Sequence, residues 1–151
     1  MRRSLAALKY TGASRVAAPL ADAGAPSLRR LLTISGPAML VPVPIHPERR
    51  RLRGYNQAEL IATRLRHAVG IPARPLLERT RETTKQHRLD RAARLANLRE
   101  AFRATAPLDA RTAIIVVDDI VTTTATLEAC ASALRAAGAD AVYGFAIARE
   151  V

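Results

Sequence analysis

The chain of 151 residues fits one domain with one main hydrophobic core, and its 49% apolar content belongs to a globular protein and not to a disordered one. No apolar run is long enough to span a bilayer. The basic start Met1–Leu5 leads into a stretch broken by Lys9 and Tyr10, so no signal peptide is read there and a cytoplasmic location without membrane insertion is expected. One cysteine, Cys130, excludes an internal disulfide and a multi-cysteine zinc site. The net charge of +11 is uneven: residues 1–47 sum to +5, residues 48–100 to +8 and residues 101–151 to −2. A basic middle facing an acidic C-terminal third suggests an anionic ligand, either a polyphosphate or a nucleic acid. Twenty-two Arg against two Lys also fits a compositional bias, so charge alone carries little weight.

In chain order, the first 36 residues read as two or three short helices broken at Gly12, Gly24 and Pro26. Met39–Val43 is a short apolar strand stopped by prolines, and residues 44–54 form a basic loop. A helix is predicted over Gln57–Ala68, with Leu60, Ile61, Leu65 and Ala68 at helical spacing. Asn56 and Glu59 resemble a capping box at its start, and Gly70 and Pro72 end it. A strand around Arg74–Leu77, a polar loop over Arg79–Leu89, a helix over Arg91–Arg99 and a short strand Phe102–Ala104 follow. Ala113–Val117 is the clearest strand, a buried apolar run. Helix 126–137, closed by Gly138, and a last strand Ala141–Ala148 complete the chain. Strands alternating with helices predict an α/β domain with a mainly parallel twisted sheet, whose ligands bind beyond the carboxyl ends of the strands.

The informative stretch runs from Ile114 to Thr126. A buried strand positions two adjacent carboxylates, Asp118 and Asp119, which point to opposite sides and so suit different jobs. One can accept hydrogen bonds from sugar hydroxyls while the other orders the loop. A helix N-terminus rich in hydroxyls comes directly after them. Its free N–H groups and dipole favour a bound anion, and Thr122, Thr123 and Thr126 add hydroxyl donors. Sugar-binding acids beside a phosphate cradle describe a ribose 5-phosphate site. Upstream, Arg53-Gly54 and the preceding Arg49, Arg50 and Arg51 supply the cations and exposed amides that a diphosphate needs. Set against this is the plainer reading of surface acids, a threonine N-cap and a solvated arginine run.

The stretch Ile114-Ile115-Val116-Val117-Asp118-Asp119 with its threonine loop resembles the motif of type I phosphoribosyltransferases. Four further segments resemble the ComF-type (GntX-like) branch, associated with DNA uptake in competent bacteria. They are Val41–Pro47, Arg53-Gly54-Tyr55-Asn56-Gln57-Ala58, the trio Arg81, Thr83 and Gln86, and Arg94 with Asn97 and Phe102. The resemblance covers about residues 5–149 and implies the type I phosphoribosyltransferase fold with a mobile flap. It implies an N-terminal helical segment over 1–36 packed on a phosphoribosyltransferase-like domain over 37–151. The implied activity is pentosyl transfer from 5-phosphoribosyl diphosphate to a nitrogen acceptor that the sequence does not identify. Asp118 and Asp119 would be catalytic, and Thr122, Thr123, Thr124, Ala125 and Thr126 would hold the 5-phosphate. Arg53, Gly54 and Tyr55 would hold the diphosphate, with Arg81, Lys85 and Gln86 as flap contacts. Magnesium would arrive chelated by the diphosphate, with no direct protein ligand.

There are two departures. The four-cysteine zinc module with which ComF-type proteins commonly begin has no counterpart here, Met1 falling roughly where it would end. Thr124 stands where the family has glycine. If the loop needs positive φ, threonine is strained there and Thr124→Gly should tighten ligand binding, the outcome favoured here; if the loop keeps negative φ, the Thr124 hydroxyl can itself contact phosphate and glycine should weaken binding.

The competing reading is a nucleic-acid-binding protein on the same fold with little or no catalysis, its partners single-stranded DNA or the competence machinery. The basic charge favours it, while 3% aromatic residues and no tryptophan argue against a stacking platform. A receiver domain is rejected because only 32 residues, none of them lysine, follow Asp119. No GxxxxGK[ST] nucleotide loop occurs.

Overall fold

A computed structural model describes residues 17–80, 98 and 100–150. The first element among the described residues is one continuous helix, α1 (Ala17–Ser35); the break expected at Gly12 lies outside them. The expected breaks at Gly24 and Pro26 do not occur. Pro26 lies on the exposed face, where water can satisfy the carbonyl that its missing N–H leaves without a partner. At Gly24 an added Cβ would lie 2.7 Å from Ile147 Cδ1. That glycine therefore marks a close approach of helix to sheet and not a chain break.

Strand β1 (Ala38–Pro42) comes next, then two helices, α2 (Pro47–Arg53) and α3 (Gln57–Val69). The expected basic loop over 44–54 thus contains a helix. A short ribbon of β2 (Leu77–Arg79) and β3 (Phe102–Ala104) follows, then β4 (Ala113–Val121), α4 (Ala125–Ala136) and β5 (Val142–Arg149). The sheet is parallel in the order β1-β4-β5, with Ala38 to Pro42 paired in register to Ala113 to Val117. Leu40 also bridges Ala73 in parallel, so the chain after α3 lies along the far side of β1. The expected strand at Arg74–Leu77 is displaced to Leu77–Arg79, because Arg74 N is already bonded to Leu40 O at 2.9 Å. The small ribbon β2–β3 is antiparallel.

Alternation along β4 separates two apolar layers. Ile115 and Val117 pack with Leu28 of α1 and Ile61 and Leu65 of α3. Ile114 and Val116 pack with Ala129, Cys130 and Leu134 of α4 and with Phe102 of the ribbon. A strand buried on both faces has no polar side, and for this reason its sequence is an unbroken apolar run. Among the described residues no helix is long and apolar enough to cross a membrane.

Candidate functional site

The sheet reverses direction between β1 and β4. From β1 the chain moves outward through α3 to Ala73, then returns to place β4 on β1's other side and β5 beyond it. The carboxyl edge at such a reversal is where open α/β sheets leave a crevice. Here β1 stops at Pro42, opposite Val117, whereas β4 continues to Val121 alongside β5. Asp118 and Asp119 occupy the first positions past the end of β1. The diacid is therefore inside a longer strand and not at its end, with Ile120 and Val121 extending the β structure beyond it.

The two carboxylates differ. Asp118 is half-buried and its Oδ1 accepts from the Asp119 amide at 2.8 Å. It shares a face with Ile114 and Val116, toward α4. Burial pushes the Cys130 thiol far above its ordinary range, the nearby Asp118 charge adds to that, and Arg79 partly offsets it. Cys130, fully buried, is thus a protonated core residue. Asp119 is buried at 7% exposure and its Oδ2 has no hydrogen-bond partner. An unpartnered buried carboxylate oxygen is costly to fold.

Thr122, Thr123 and Thr124 are exposed, and Ala125 and Thr126 open α4 half-buried. The first intrahelical bond is Glu128 N to Thr124 O at 2.9 Å, so the N–H groups just before Glu128 point out of the helix start. The expected strain at Thr124 is absent. Its φ is −72°, in the right-handed region, and no described residue other than glycine has positive φ. Its hydroxyl bonds Glu128 Oε1 at 2.5 Å. With no strain to relieve, Thr124→Gly is expected to lower stability by about 0.5 kcal/mol and not to tighten anion binding; a urea melt paired with phosphate titration checks both.

The diphosphate candidates follow β1 and therefore rise from the same carboxyl edge. Arg53 ends α2 half-buried, and Gly54 closes the helix at φ 79°, with its N–H donating to Arg50 O at 2.8 Å. Tyr55 is half-buried beside them. His46 caps the start of α2, its Nδ1 accepting weakly from Glu48 N at 3.4 Å. The signals that could have found this helix, in place of the basic loop expected over 44–54, are Pro47 at its first position and Gly54 just past its end. The expected cap of α3 forms through Asn56, whose Oδ1 accepts from Ala58 N at 3.1 Å. Glu59 Oε1 accepts from Arg50 Nη1 at 2.6 Å and ties α2 to α3.

One groove of about 490 Å³ opens between this region and the ribbon, with His46, Arg50 and Glu59 on one wall and Leu77, Glu78 and Arg79 on the other. Sequence reading missed it, because its walls come from segments distant in the chain, with Glu59 on one side and Leu77 on the other. The flap candidates Arg81, Lys85 and Gln86, the helix predicted at Arg91–Arg99, and Arg94 and Asn97 fall on or across residues outside those described. Among the described residues no group of three or more His, Cys, Asp or Glu is placed to hold a metal ion.

Parallel order, helices on both faces and a diacid at the reversal point define an α/β fold of the type I phosphoribosyltransferase kind. A solved structure described as the allosteric regulatory enzyme of purine biosynthesis matches 87% of this chain, and 26% of its own, at a TM-score of 0.50 and 20% identity, a likeness of fold alone. No protein-family model matches the chain. In sequence it is 34% identical over 148 residues to the DNA utilization protein YhgH of Salmonella typhimurium, covering 95% of this chain and 65% of that protein. It is 34% identical over 124 residues to the Escherichia coli K12 protein of the same name, covering 82% of this chain and 54% of that one. It is 31% identical over 116 residues to competence protein F of Haemophilus influenzae, covering 75% of this chain and 51% of that one. The chain is a homologue of the ComF/YhgH family. It spans between half and two thirds of the length of these relatives.

Proposed function

We propose that this chain serves DNA utilization by binding single-stranded nucleic acid on a phosphoribosyltransferase-type fold, with little or no catalysis. The observation that carries the reading is homology over 95% of the chain to a protein named for DNA utilization, joined by a relative named for competence. The net charge of +11, concentrated over residues 48–100, supplies the phosphate attraction. The test is fluorescence anisotropy of a labelled thymidine oligomer across a salt series. Affinity should fall steeply and linearly on logarithmic axes, by about 0.7 in slope for each phosphate neutralised. A flat salt response, or no binding at low salt, overturns the reading.

A second reading is favoured by one observation, the unpartnered Asp119 Oδ2 at the reversal point of the sheet. In it the chain binds 5-phosphoribosyl diphosphate, with Asp118 and Asp119 on the 2- and 3-hydroxyls and residues 122–126 around the 5-phosphate. Arg53, Gly54 and Tyr55 take the diphosphate, while the flap contacts expected at Arg81, Lys85 and Gln86 lie outside the described residues. The bond between C1 and the diphosphate oxygen breaks as a bond from a nitrogen nucleophile to C1 forms, and Arg53 offsets the charge left on the diphosphate. Magnesium chelated to the diphosphate would supply further charge neutralisation. In both readings α1 is a helical layer packed on the sheet of a single domain, and the compartment is the cytoplasm.

A further inference from the structure

Helix α2 buries none of its seven residues, so core packing does not explain its presence. Four of the seven are arginines, and Arg49, Arg50 and Arg51 are exposed while Arg53 is half-buried. Among them Leu52 stands out at 88% exposure, one of two exposed large apolar side chains among the described residues. Yet the helix is firmly held. His46 and Gly54 cap its ends, Arg50 is paired with Glu59 of α3 at 2.6 Å, and buried Asn56 donates to Val43 O at 2.9 Å just beyond it. Its basic last turn also suits the negative end of the helix dipole. A short element that adds nothing to the core, is anchored on both sides and shows outward cations around an apolar tip has the form of a contact surface.

We infer that α2 is the element of this chain that touches single-stranded DNA, with guanidinium groups such as that of Arg51 on backbone phosphates and Leu52 against the face of an unpaired base. The inference rests on the nucleic-acid reading above and adds the surface and the strand preference. Charge complementarity selects a polyanion. The apolar tip selects one whose base faces are open, since duplex stacking hides them, and with 3% aromatic residues in the chain an aliphatic tip takes the place of a stacking ring. Arg50 and Arg53 are left out of the test because one holds α3 and the other belongs to the candidate diphosphate loop.

The experiment compares wild type, Arg51→Gln and Leu52→Ser for a labelled thymidine oligomer, a duplex of the same length and anionic phospholipid vesicles. Thermal melts accompany each variant and should match wild type, because both side chains are exposed. Arg51→Gln should lower the logarithmic salt slope by about 0.7. Leu52→Ser should weaken single-strand binding about five-fold, leave the slope unchanged and narrow the preference over duplex. If wild type binds the oligomer and both variants bind it equally well, α2 is not the contact while the nucleic-acid reading stands. If wild type binds no oligomer, both fail together. If the variants lose only vesicle binding, the surface is a membrane contact and the inference is overturned.

Discussion

Asn56→Ala is expected to lower the unfolding free energy by about 2–4 kcal/mol, the largest loss foreseen for a single polar side chain in this fold. Asn56 is 2% exposed and does two jobs. Its Oδ1 accepts from Ala58 N at 3.1 Å and caps α3, and its Nδ2 donates to Val43 O at 2.9 Å. Alanine removes a cap, typically about 1 kcal/mol, and leaves a buried carbonyl without a donor, about 1–3 kcal/mol. Asn56→Ser keeps a capping oxygen but does not reach Val43, so it should recover part of the loss. Urea unfolding should show the midpoint falling in the order wild type, Ser, Ala at constant slope. A midpoint for Ala equal to wild type would mean that Asn56 clamps nothing. The same change should loosen α2 and the loop over residues 53–55, because Asn56 is the fixed point from which both are held.

Elements whose sequence signal is burial were legible. The apolar run of β4, the capped and periodic α3 and the strand Phe102–Ala104 fall where periodicity and composition put them. Helix α2 was not, because hydrophobic periodicity reports a buried face and α2 has none; only its caps betray it. The continuity of α1 was hidden for the opposite reason. Gly24 and Pro26 are breakers in isolation, but one lets the helix approach Ile147 and the other faces water, and both facts are tertiary. At the candidate site, the diacid was visible as residue types at the end of an apolar run. What sequence could not show is that β4 continues through it while β1 stops. That difference in strand length leaves Asp118 and Asp119 beyond the last paired residue of β1. The strain expected at Thr124 was inferred from a family pattern, and the local backbone resolves it by staying at φ −72°.

Asp119→Asn is expected to make the protein more stable and unresponsive to 5-phosphoribosyl diphosphate. Asp119 is 7% exposed, and its Oδ2 has no hydrogen-bond partner. Replacing a buried carboxylate that lacks full compensation by a neutral side chain of the same shape should return about 1–2 kcal/mol. In a domain of this size that raises the melting temperature by about 3–6 °C. In the second functional reading the same oxygen takes a sugar hydroxyl, so on that reading the diphosphate ligand with magnesium should no longer raise the melting point of the variant, whereas it should in wild type. Asp118→Asn serves as the comparison. Asp118 Oδ1 already accepts from the Asp119 amide, an acceptor role that an asparagine oxygen can fill, so its stability should change little. A variant at Asp119 that melts lower than wild type would show that the carboxylate is held by interactions that stabilise the fold. A variant that melts higher yet keeps the full ligand shift would show that the strain is real but unrelated to sugar binding, and the second functional reading would fall while the DNA-binding one remained. The two measurements come from one melting series, with and without ligand, and separate a residue kept for binding from one that is merely poorly packed.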